Sequence, residues 1–180
     1  MAVTVTWIEW ITGETPGTDN GTAATTINFG NASARDLTPA SNPVTAGTNS
    51  FTKYFRANIS GSYTQIDNAK LWKSGGAYVT GEDIQFSGNI AFAAPTATDA
   101  SDASILVASP TPANVGLNAK DVGDIAAQDK TLPLGSEVNS SPGFYSGSRT
   151  SLLRFQMITT GSTPAGAVNQ KTISLTYDRQ

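Results

Sequence analysis

Between Ser50 and Ser87 apolar and polar residues alternate in short runs separated by turn-forming residues, and this constrains the fold more than any other feature. Phe51, Phe55, Ala57 and Ile59 alternate with Thr52, Tyr54, Arg56 and Asn58. In a strand, that spacing places the two sets on opposite faces, so a half-buried strand is expected. Lys53 interrupts the apolar row, and a long side chain near a strand end is expected to carry its charge out to water. Tyr63, Ile66 and Ala69-Lys70-Leu71-Trp72-Lys73 predict the next strand, Ser74-Gly75-Gly76 a tight turn, and Ala77-Tyr78-Val79 a return strand. Paired glycines suit such a hairpin because both take positive φ without a Cβ clash. Ile84 and Phe86 resume the alternation after Gly81-Glu82-Asp83, which reads as a solvated corner.

The flanking sequence extends the same reading. Val3 to Thr12 predicts a first strand with Val3, Val5, Trp7 and Ile11 on one face. Ile8 and Trp10 fall on the other, and a strand apolar on both faces is either central in a sheet or covered by another chain. Thr15 to Asn49 is turn-rich, with Thr26-Ile27-Asn28-Phe29 as a short strand inside it. Ile90 and Phe92 mark another, and Ser104 to Val107 and Leu132 to Leu134 offer two more, while Asn118 to Gln128 reads as a short helix or a loop. Leu153, Phe155 and Met157 alternate with Arg154 and Gln156. After a turn at Thr160 to Gly166, Ile173, Leu175 and Tyr177 face inward with Thr172, Ser174 and Thr176 outward. About eight to ten strands at this spacing predict an all-β fold, an antiparallel β-sandwich or jelly roll with long loops. The whole of 1–180 reads as one such domain, with 1–12 as a candidate N-terminal arm or exchanged strand.

Composition narrows the chemistry. The chain has no Cys and no His, which removes disulfides, thiolate and imidazole metal sites, and Cys or His catalysis. Charged residues are 14% of the chain, against roughly 25% in ordinary soluble domains. A surface so poor in Lys and Glu resembles interface cores, which are depleted in both. The eleven Lys and Arg are scattered under a net charge of −3, so there is no basic stripe for nucleic acid. No run approaches the ~20 apolar residues of a membrane span. Met1-Ala2-Val3-Thr4 does not read as a signal peptide, so synthesis in the cytoplasm is expected.

No catalytic constellation stands out. Gly-x-Ser-x-Gly does not occur, Ser50-Phe51-Thr52-Lys53 matches Ser-x-x-Lys only as a short pattern common by chance in a Ser-rich chain, and neighbours such as Glu82 and Asp83 point to opposite faces of a strand. Asp99 with Asp102, or Asp121 with Asp124, are the nearest to a calcium set, but the ordered acidic loop is missing. The expectation is a non-enzyme with no metal and no cofactor. Trp72, Tyr54 and Tyr78 fall on neighbouring elements, where an exposed row of rings would suit a sugar or a protein partner; otherwise Trp72 fills the core. Ile8, Trp10, Trp72 and Tyr78 are thus the candidate protein-interface residues.

Several segments also carry a resemblance. Asn49-Ser50-Phe51-Thr52-Lys53-Tyr54-Phe55-Arg56, then Ile66-Asp67-Asn68-Ala69-Lys70-Leu71-Trp72-Lys73-Ser74-Gly75-Gly76, come first in order. Leu153-Arg154-Phe155-Gln156 and Ile173-Ser174-Leu175-Thr176-Tyr177-Asp178 follow. This arrangement resembles a set of tailed-phage (bacteriophage) virion structural proteins; the family pattern closes on Tyr-Asp-Glu, where this chain has Arg179. The resemblance implies a capsid decoration or cement protein on the outer head surface. Its implied partners are the major capsid protein and further copies of itself, a homotrimer above all. A tail, baseplate or fibre module, with or without host-glycan binding, is the alternative.

Overall fold

The computed structural model describes residues 2–11, 21–61, 66–87, 92–98, 104–105, 148–149, 152–166 and 170–179. Its regular elements are nine strands: β1 (Thr4–Trp10), β2 (Thr22–Ala23), β3 (Lys53–Ser60), β4 (Ile66–Gly75), β5 (Glu82–Ser87), β6 (Ser104–Ile105), β7 (Ser148–Arg149), β8 (Leu153–Thr159) and β9 (Thr172–Arg179). They form two antiparallel sheets. The larger runs β2-β1-β3-β8-β5-β6, with β7 also paired to β3, and the smaller pairs β4 with β9. The fold is all-β, with no helix among the described residues.

Register decides which residues share a face. Glu9 lies opposite Phe55, Phe55 opposite Leu153, Phe86 opposite Phe155, and Ile84 opposite Met157. On this inner face Phe55, Ile84, Phe86, Leu153 and Phe155 join Leu71 of β4 in one buried cluster. Ile173, Leu175 and Tyr177 of β9 pack against it, as do Val3, Val5 and Trp7. Each large side chain removed from water here contributes roughly 1.5–3 kcal/mol. The two sheets therefore share a core, and the inward row expected for β9 is the one observed.

The opposite face of the larger sheet is also covered. Trp10 and Tyr54, directly opposite each other, form a second buried cluster with Leu152. Ile8 and Phe92 pack against it, with the Tyr54 and Phe92 ring centroids 4.8 Å apart. Residues 96–98 are stapled over this face by polar side chains. Gln156 Nε2 donates to Ser50 O at 2.8 Å and to Thr98 O at 3.0 Å. Thr52 N donates to Thr96 O at 2.8 Å, and Thr96 N donates back to Thr52 Oγ1 at 3.1 Å.

Four local expectations are corrected by these contacts. β3 is buried on both faces rather than one, since Tyr54 and Arg56 are 1% and 0% exposed. It lies between β1 and β8, and the chain's own segments cover the face that alternation assigned to water. Lys53 does not reach solvent; it is 3% exposed and its Nζ lies 2.9 Å from Glu9 Oε1. Ala77 to Val79 is not a strand, because β4 takes β9 as its partner and the chain after Gly75 crosses from the smaller sheet to the larger. Gly76 makes that exit with φ of +77°, where a Cβ would fall 2.2 Å from Gln170 O. Residues 26–29 are likewise not a strand; β2 takes the edge of β1, after which Ile27 and Phe29 pack into the shared core as irregular chain.

Of the strand expected around Ile90 and Phe92, residues 88–91 lie outside the described residues and 92–94 are irregular chain, with Phe92 packing on the second cluster instead. The segments 106–107, 118–128 and 132–134 also lie outside the described residues.

Candidate interaction surface

The four candidate interface residues do not converge. Trp10 is 4% exposed and belongs to the second cluster, against which Ile8 packs. Gly21 closes over both: a Cβ there would sit 2.3 Å from Ile8 Cγ2 and 3.0 Å from Trp10 Cε2. Trp72 sits opposite Ser174 and, one residue after inward-facing Leu71, is carried on the outer face of the smaller sheet. It is half-buried, and its Nε1 has no hydrogen-bond partner among the described residues. Tyr78 packs on the inner cluster. With Tyr54 buried on the far side of the larger sheet, the exposed row of rings is not formed.

Tyr78 belongs to a polar group at the junction of the two sheets. Lys73 Nζ lies 5.0 Å from its ring centroid and Lys171 Nζ 5.9 Å. Glu82, at the start of β5, receives Lys171 Nζ on Oε1 at 2.6 Å and Val79 N on Oε2 at 3.1 Å. Glu82 is 3% exposed, which corrects its reading as a solvated corner: the crossing chain and Lys171 enclose it. Burial, and then the charges of Asp83 and Glu82, push the Tyr78 phenol up to about 12 against a lowering hydrogen bond from the Ile84 backbone. Burial and repulsion from Glu82 also raise Asp83 above the usual carboxylate range.

A second buried ion pair lies on the same inner face. Lys53 meets Glu9 and also donates to Ala34 O, while Arg35 Nε and Nη2 approach Glu9 O at 3.4 Å. These two groups fasten strands and loops together. Among the described residues no cluster of three or more Asp, Glu, His or Cys is placed to hold a metal ion. The Asp99, Asp102, Asp121 and Asp124 candidates for calcium lie outside the described residues.

The exposed loops at one end of the larger sheet form the most coherent surface. Thr159 Oγ1, at the buried end of β8, accepts Gly47 N at 3.1 Å and lies 2.6 Å from Thr48 O and 3.2 Å from Thr45 O. The next turn binds the start of β5: Thr160 N donates to Gly81 O at 2.9 Å, and Thr163 Oγ1 donates to Gly81 O at 3.0 Å. A Cβ on Gly47 would lie 3.6 Å from Gly161 N, so the two loops touch. Thr45, Thr48, Thr160, Ser162, Pro164 and Ala165 are exposed across this platform, and none is charged.

Sequence reasoning placed turns here without joining them into a surface. Residues 37–52 and 157–170 carry no Lys, Arg, Asp or Glu, but neither do 20–34, 84–98 and 103–119, so the sequence holds no signal specific to this surface. Comparison of the chain with family models, with curated proteins and with solved structures gives no match.

Proposed function

We propose that this chain is a structural component of a tailed-phage virion, a decoration or cement protein that binds the outer head surface and stabilises the shell through protein–protein contacts. In this reading the two sheets are the layers of a single antiparallel β-sandwich, supported by the cluster that joins Leu71 of β4 to Phe55, Phe86 and Phe155. The protein is a scaffold and not an enzyme.

The observation that carries the reading is how charge is distributed. Of the few charged residues, Glu9, Lys53, Arg56, Lys73 and Glu82 are buried, and the Lys171 side chain is 6% exposed. The exposed platform is meanwhile left without charge. Such a surface matches the cores of protein interfaces, where Lys, Glu and Asp are depleted. The segments that resemble phage virion proteins fall on β3, β4, β8 and β9, the strands that enclose the shared core. Many weak contacts repeated by the symmetry of a shell give high total avidity without a single tight site.

The deciding measurement is the copy number of this chain in purified virions by quantitative mass spectrometry. Copies on the scale of the capsid lattice support the decoration role. A few copies per particle would move it to the tail, and absence from particles would overturn the virion reading.

A further inference from the structure

We draw no further inference here: the strongest candidate, the edge of β1 from Thr4 to Thr6 that β2 leaves unpaired among the described residues by meeting only Ile8 and Glu9, would take a strand of a second copy and a strand of a different protein alike, and nothing in the structure shows which of them covers it.

Discussion

Lys171 Nζ and Glu82 Oε1 are 2.6 Å apart in the interior, and they join the two sheets. Glu82 opens β5 in the larger sheet, and Lys171 directly precedes β9 in the smaller. Their side chains are 1% and 6% exposed respectively. A pair so enclosed matters most when one half is removed, because the other is left as an uncompensated buried charge. Glu82→Leu or Lys171→Met alone is therefore expected to lose about 3–5 kcal/mol of unfolding free energy. Glu82→Leu combined with Lys171→Met is expected to recover most of that loss. Urea denaturation of the two single variants and the double variant measures the coupling, and additive losses would show that the pair does not act as a unit.

The first strand is integral to the fold. β1 pairs with β3 through seven residues from Thr4 to Trp10; its inner face packs on the shared core, and its other face is covered at Ile8 and Trp10. Deleting residues 1–12 is accordingly expected to abolish cooperative melting rather than to leave a stable core. Trp10→Ala, which opens a cavity beside Tyr54 and Leu152, is expected to cost about 3–5 kcal/mol. A truncated chain that still melts cooperatively would show that β1 is dispensable.

Gln156 is a second point of weakness. Its amide is fully buried and donates to the carbonyls of Ser50 and Thr98. In Gln156→Leu those acceptors lose their donor while remaining beneath residues 96–98. The expected loss is about 1–3 kcal/mol. Hydrogen exchange should locate it, with protection falling first around Thr52 and Thr96. Unchanged protection there would show that Gln156 does not hold the segment.

The pH dependence of stability should carry two marks. Tyr78, raised to about 12 from 10.0, keeps its proton in the folded state after the unfolded chain has released it. Its stabilising contribution is complete below pH 10 and is lost as pH rises toward 12, so Tyr78→Phe should flatten the decline across that window. Asp83 is also raised, so its ionised form disfavours the fold at neutral pH. Asp83→Asn is expected to raise the melting temperature near pH 7, with the gain disappearing in acid as the native carboxyl protonates. Melting curves across pH for both variants test this. A wild-type slope retained by Tyr78→Phe, or no gain from Asp83→Asn, would remove that group from the account.

The sequence determined the strands wherever alternation was long enough to decide side-chain direction. β3, β8 and β9 lie where Phe55, Phe155 and Leu175 recur with a period of two, because successive side chains of an extended backbone must point to opposite sides. Alternation reports the difference between two faces, and it cannot say what covers either one. Only the tertiary structure decided that Tyr54 and Arg56 are buried, because the cover comes from Phe92 and other segments distant along the chain. It likewise decided that Gly75-Gly76 leads out of a sheet instead of closing a hairpin, since β4 finds its partner in β9. The same holds for Lys53 and Glu82. A charge can be read from sequence as it stands, but whether water or an opposite charge receives it depends on which distant residue the fold brings within reach.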